Sequence, residues 1–219
     1  MHETESRIRP SQTQPAAAML PDDDDGLAFL GALARALEGR DPTLRQHSQR
    51  VGFYADLLAE QLGLDDDTRG FIRTASILHD IGRISLHTDD MRPAGLAGSG
   101  QDAPEAPHPD LGARLVRALG FEERVGNAIR HHHEHWDGEG GPDGLRRENT
   151  PLASRIIAVV DTFDRLTAGP PGAGSLDADR AMIELNKHAG SRFDPDLLSL
   201  FASLIENGAF ELQATGTNP

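Results

Sequence analysis

His79 and Asp80 are adjacent at the end of an amphipathic run, in the stretch Ile77-Leu78-His79-Asp80-Ile81-Gly82-Arg83. An imidazole nitrogen and a carboxylate oxygen on consecutive residues can grip one metal ion and leave the second carboxylate oxygen for another. Most His-Asp dipeptides are surface accidents. This one follows Phe71, Ile72, Ala75 and Leu78 at helical spacing, which turns it toward a buried side. A buried carboxylate requires a cation or a metal as its partner.

Other side chains of the same chemistry lie along the chain. His47 falls in the apolar stripe Leu44, His47, Val51, Ala55, Leu58 and Leu62, although a lone histidine in such a stripe is more often structural than a ligand. His108 precedes Pro109, which pushes it out of helical geometry and opens a helix carrying Leu111, Leu115 and Leu119; it reads equally well as a polar cap. His132 and His133 follow Ile129 by three and four positions in a helix expected over 121–134, so both turn toward one interior. Asp161 and Asp164 interrupt the apolar helix that runs from Pro151 through Ile156, Ile157, Val159, Val160 and Phe163. Their partner is either a metal or an arginine such as Arg155 or Arg165.

The elements that must position these groups are helical. Residues 1–25 lack apolar periodicity and end in Asp22-Asp23-Asp24-Asp25, which predicts a disordered acidic tail whose aspartates are solvated. One helix is expected around Leu27 to Leu37, and a second from the Asp41-Pro42 start signal. A third ends at His79-Asp80. Residues 87–107 read as a long loop, and loops of that length inside a domain are usually functional or mobile. Two helices close the chain, one around Ala181 to His188 and one from Asp194-Pro195 to Asn207-Gly208. No alternating strand pattern, repeat or phosphate-binding glycine loop is present. The expectation is an all-α domain over 26–212, with a disordered end at 213–219.

Composition narrows the function. At 219 residues the chain can bury one good core. A net charge of −14 repels long polyanions, so general nucleic-acid binding is excluded. No apolar run approaches a membrane span. With no cysteine there is neither a disulfide framework nor a thiolate site, which suits a reducing cytoplasm and leaves His, Asp and Glu to hold any metal.

The succession "RDPTLRQHSQRV", "ILHDIGRISL", "HPDLGARLV", "HHEHWDGEGGPDGL" and "PLASRIIAVVDTFDRLT" resembles the HD-GYP family of HD-domain phosphodiesterases, from about Leu33 to Phe201. The resemblance implies an HD-domain helical bundle with a C-terminal helical extension, which hydrolyses cyclic di-GMP through a metal-bridging hydroxide. It implies two divalent ions, iron or manganese in the first place, with zinc, nickel or magnesium as alternatives. By motif, His47, His79, Asp80 and Asp161 would hold one ion. Asp80 as a bridge, with His108, His132 and His133, would hold the other. Arg83 stands where the family has lysine and would steady phosphate, and Asp164 would orient a ligand or the attacking water. A cyclic dinucleotide is the expected partner, alongside a signalling protein.

Four departures bear on the substrate. Gly141 replaces the tyrosine of Gly-Tyr-Pro, and Ala168-Gly169-Pro170-Pro171 replaces a basic, tyrosine-bearing segment. Thr43 replaces a glutamate that can hold a third metal, and Arg92-Pro93 stands for a Lys-Pro segment. These departures leave two other readings open: a regulatory module that binds a cyclic dinucleotide with little or no turnover, and a phosphohydrolase acting on another nucleotide.

Overall fold

The structure, a computed structural model, describes residues 32, 46–85, 108–168 and 175–208. Among them are seven α-helices and no strand: α1 (His47–Gln61), α2 (Asp66–Leu78), α3 (His108–Ala118), α4 (Glu123–Arg130), α5 (Leu152–Thr167), α6 (Ala178–Asn186) and α7 (Pro195–Glu206). The expected helix near Leu27–Leu37, the Asp41-Pro42 start, the 87–107 loop and both tails lie outside the described residues, as do Thr43, Arg92-Pro93 and Gly169-Pro170-Pro171.

Local chemistry accounts for the helix ends. Asp65, Asp177 and Asp194 cap α2, α6 and α7 by accepting bonds from the backbone N–H groups of Thr68, Arg180 and Asp196, at 2.8, 2.8 and 3.0 Å. Pro195 follows its cap at the first position of α7, where the missing N–H costs nothing. Gly63 and Gly120, just past α1 and α3, take φ of 72° and 87°, a conformation glycine adopts without steric penalty.

α5 is the central element. Ile156, Ile157, Val159, Val160 and Phe163 are all buried along it, and α1, α4, α6 and α7 pack around it. Tyr54 of α1, Phe163 of α5 and Phe201 of α7 meet edge to face, with ring centroids 5.1–5.9 Å apart. Ser154 Oγ donates to the Ala128 carbonyl at 2.9 Å and ties α5 to α4.

Three expected boundaries shift, the helix expected around Ala181 to His188 running instead from Ala178 to Asn186. The helix expected over 121–134 ends at Arg130, so His131, His132 and His133 lie in the turn after it. His108 is the first residue of α3 rather than a residue outside it, because Pro109 is tolerated within a first helical turn.

Gly82 explains how the His-Asp segment is held. It sits in a 3-10 turn (Ile81–Ser85) pressed against α3, where an added Cβ would lie 2.0 Å from the His108 carbonyl oxygen and 2.5 Å from Gly112 N. Both are backbone atoms and cannot swing aside. Gly82→Ala is therefore expected to lower the unfolding free energy by more than about 2 kcal/mol in urea titration. Gly70, inside α2, has open space around its Cβ direction, and Gly70→Ala should raise stability by roughly 0.5–1 kcal/mol through helix propensity.

Candidate metal centre

Helix ends build the site. His79 caps the C-terminus of α2, where the last carbonyls have no partner within the helix. Its Nδ1 faces the Ser76 carbonyl at 2.7 Å, and His132, just past α4, places Nδ1 2.6 Å from the Ile129 carbonyl. An imidazole nitrogen facing a carbonyl must carry the proton. In both rings Nε2 is therefore the lone-pair nitrogen, and it is aimed away from the helix. The same device appears at His131, whose Nδ1 faces the Asn127 carbonyl at 2.8 Å. Its Nε2, however, meets Asp143 at 3.1 Å, so this histidine pins a loop instead.

His47 is set from the other side. Its Nδ1 lies 2.7 Å from Asp164 Oδ2, and Asp164 also accepts from Arg50 Nε and Nη2 at 2.5 and 2.9 Å. This arrangement directs His47 Nε2 to within 3.1 Å of Asp161 Oδ1. The same oxygen is 3.4 Å from His79 Nε2. Asp80, fully buried, points Oδ2 to within 3.6 Å of His79 Nε2 and Oδ1 to within 3.1 Å of His108 Nε2.

On the far side of Asp80, His108 Nε2 lies 3.4 Å from His132 Nε2 and 3.2 Å from His133 Nε2. Two nitrogens each about 2.0–2.1 Å from one ion stand roughly this far apart. Successive rings along the series His47, His79, His132, His133 and His108 are 4.0–5.3 Å apart between centroids. Buried His47 Nε2 and His79 Nε2 make no hydrogen bond within the protein. Buried polar atoms without partners are costly, and here they face one another. Two ligand groups result, His47 with His79 and Asp80, and His108 with His132 and His133. The donor set of imidazoles and carboxylates suits a pair of divalent ions.

Electrostatics prepares these donors. Burial, with the neighbouring imidazoles adding to it, pushes His132 and His133 well below their usual range, so both are neutral and able to ligate. Burial also lowers His108. For Asp80 burial acts to raise the carboxyl, but His79, Arg83 and Arg165 outweigh it and hold it well below the usual range. Asp161 is likewise held down against burial, by Arg165 and then His47 and His79. His47 differs: burial lowers it, yet Asp161 and Asp164 together raise it to about 9.

Every candidate residue lies at this centre, in differing roles. Arg83 Nε is 2.7 Å from Asp80 Oδ1 and the side chain is almost wholly buried, so its geometry steadies the carboxylate. Asp164 acts on His47 rather than facing the pocket. Both partners weighed for the helix carboxylates do form ion pairs. Arg165 meets Asp161 and Asp80, whereas Arg155 goes to Asp194, 2.5 Å away.

Several contributors were not legible as site residues. Arg50 lies three positions after His47, a spacing that could have suggested a shared helix face. Glu134 is buried and accepts from Asp143 N and Leu145 N at 2.7 and 3.0 Å, which holds the Gly140-Gly141-Pro142 loop. At Gly140 a Cβ would fall 2.3 Å from His135 N, whereas at Gly141 it would meet nothing within 4 Å. The first glycine is needed for close approach; the second is not.

The HD-domain family model matches residues 31–197. The chain is 37% identical over 170 residues to the cyclic di-GMP phosphodiesterase response regulator RpfG of Xanthomonas campestris, covering 76% of this chain and 44% of that protein. It is 30% identical to 3'3'-cGAMP-specific phosphodiesterase 3 of Vibrio cholerae, covering 83% and 40%. The chain thus spans less than half the length of these relatives. The fold is similar to the crystal structure of a cyclic GMP-AMP-specific phosphodiesterase of V. cholerae, with a TM-score of 0.66, 24% identity and coverage of 84% and 49%. It is also similar to an HDG"Y"P protein from Bdellovibrio bacteriovorus, with a TM-score of 0.59, 18% identity and coverage of 85% and 65%.

Removing Asp164 should expose how much the buried network carries. Asp164→Ala takes the carboxylate from both Arg50 and His47, and a loss of about 3 kcal/mol in unfolding free energy is expected. In a double-mutant cycle with Arg50→Met, the paired loss should be smaller than the sum of the two single losses.

Proposed function

Because the chain belongs to the HD-domain family, in its HD-GYP branch, we propose that it is a metal-dependent phosphodiesterase that hydrolyses 3'3'-cyclic dinucleotides, with cyclic di-GMP the first substrate to test. One observation carries the reading. Five buried imidazoles and two buried carboxylates converge, with His108 Nε2 3.4 and 3.2 Å from the Nε2 atoms of His132 and His133 and with His47 Nε2 and His79 Nε2 making no hydrogen bond within the protein. His47, His79, Asp80 and Asp161 would hold one cation; Asp80, His108, His132 and His133 would hold the other. Divalent ions bound there supply an acidified water and the charge that draws in a phosphodiester.

The rest of the work falls to the chain itself. The Ser76 and Ile129 carbonyls keep two ligands in the binding tautomer, and Asp164 aims a third. Arg83 keeps Asp80 ionised and oriented while its charge favours an anionic substrate. Burial excludes bulk water, which strengthens every one of these interactions.

The Gly140-Gly141-Pro142 loop, bonded to the His133 carbonyl through Gly141 N at 3.3 Å, is thinner than the family pattern. With glycine at 141, backbone alone is offered where a tyrosine ring would grip a base. A loss of that kind removes binding shared by ground and transition states, so KM rises more than kcat falls.

Protein purified under anaerobic, metal-replete conditions should contain about two ions per chain by elemental analysis. It should cleave cyclic di-GMP with weak substrate affinity, cleave bis(p-nitrophenyl) phosphate alongside, and lose both activities on chelation or in Asp80→Ala. Gly141→Tyr, for which the Cβ direction is open, should lower KM with little change in kcat. Tight binding of cyclic di-GMP without cleavage, in manganese-loaded and iron-loaded protein alike, would replace the enzyme reading with a sensor.

A further inference from the structure

Arg165 follows Asp161 by one turn on α5 and reaches across the metal pocket. Its Nε donates to both Asp161 oxygens at 2.8 and 3.0 Å, and its Nη2 donates to Asp80 Oδ2 at 3.0 Å. These are the two carboxylates that face the imidazole nitrogens. Asp161 Oδ1 is also the oxygen 3.1 Å from His47 Nε2 and 3.4 Å from His79 Nε2. Asp80 Oδ2 is the oxygen on the His79 side, while Oδ1 faces His108. An arginine that merely braced the fold would bind carboxylate lone pairs turned away from the pocket. This one sits in the fork of Asp161 and takes the Asp80 oxygen that a bridging carboxylate needs for its second ion.

The charges make the conflict definite. A guanidinium cannot shed its proton in a protein. With Arg83 at 2.7 Å from Asp80 Oδ1, two fixed cations already stand against the two ligand carboxylates. A divalent ion bound about 2.0–2.2 Å from the same oxygens would share their charge with a like-charged neighbour. Arg165 also has a way out: about a quarter of its side chain is exposed, whereas Asp80 and Asp161 are almost wholly buried.

We propose that Arg165 is a resident counter-cation of the metal pocket, competing with divalent ions for Asp80 and Asp161 and thereby setting how tightly the His47–His79 side is loaded. Full loading would draw the guanidinium back toward the solvent to which about a quarter of its side chain is already exposed. This inference rests on the metal-site reading above and adds a specific control of metal affinity by one residue of this chain.

The test uses the full chain, stripped with a chelator and titrated with Mn2+ by calorimetry, with thermal melts before and after. Arg165→Met keeps the bulk of the side chain and removes its charge. It should bind Mn2+ on the order of tenfold tighter than wild type. Stripped, it should melt below wild type, and its Tm should rise more on Mn2+ addition. Arg165→Lys should return the affinity toward the wild-type value. Arg165→Gln, which retains a hydrogen-bond donor, repeats the comparison should the methionine variant fail to fold. A folded, uncharged variant that binds Mn2+ no more tightly than wild type overturns the competition while leaving the metal site standing. Wild-type protein that takes up no Mn2+ overturns the metal site and this inference together.

Discussion

Three buried carboxylates, Asp80, Asp161 and Asp164, impose the constraint that the surrounding structure answers. Each would be prohibitively costly in an apolar core without positive charge or donors close by. Asp164 is answered by Arg50 and His47, Asp161 by Arg165 and His47, and Asp80 by Arg83 and Arg165. Arg165 is shared by Asp80 and Asp161, and His47 by Asp161 and Asp164. Moving any one charge therefore changes the others, and the pocket behaves as one electrostatic unit rather than as a set of pairs.

That unit is mounted on helix ends, where backbone has unsatisfied groups to offer. The carbonyls that close α2 and α4 hold His79 and His132, the start of α3 supplies His108, and the start of α1 supplies His47. The apolar packing around α5 keeps these ends in register: Tyr54, Phe163 and Phe201 lock α1, α5 and α7 together. At the pocket itself the register is set by close backbone contact between Gly82 and α3.

The ligand-bearing elements and the loop beside His133 are built to different standards. The donors are buried, oriented and charge-compensated, whereas the loop at Gly140-Gly141-Pro142 is held by Glu134, Arg130 and Asp143 with its second glycine facing open space. A scaffold of this kind lets the grip on a substrate's bases change without disturbing the groups that would hold metal. Relatives named for cyclic di-GMP and for 3'3'-cGAMP are both similar to this chain, so the scaffold is shared by proteins named for different substrates.

Much of this was readable from residue order alone. Helical spacing marked α1, α2, α5, α6 and α7, and Asp194-Pro195 placed the start of α7, because both signals arise within a few residues of one another. The candidate donors were legible as polar residues on apolar faces. The end of α4 was not: His132 and His133 leave the helix because their rings bind its last carbonyls and neighbours across the pocket. Nor could spacing choose between Arg155 and Arg165 as partner of the α5 carboxylates. One turn of helix separates Asp161 from Arg165, but the contact with Asp80 spans 85 positions and exists only once α2 and α5 are packed together. Local sequence determined which groups were available; the tertiary fold decided which lone pairs face the pocket and which cation reaches them first, because those depend on distances between elements that no local pattern encodes.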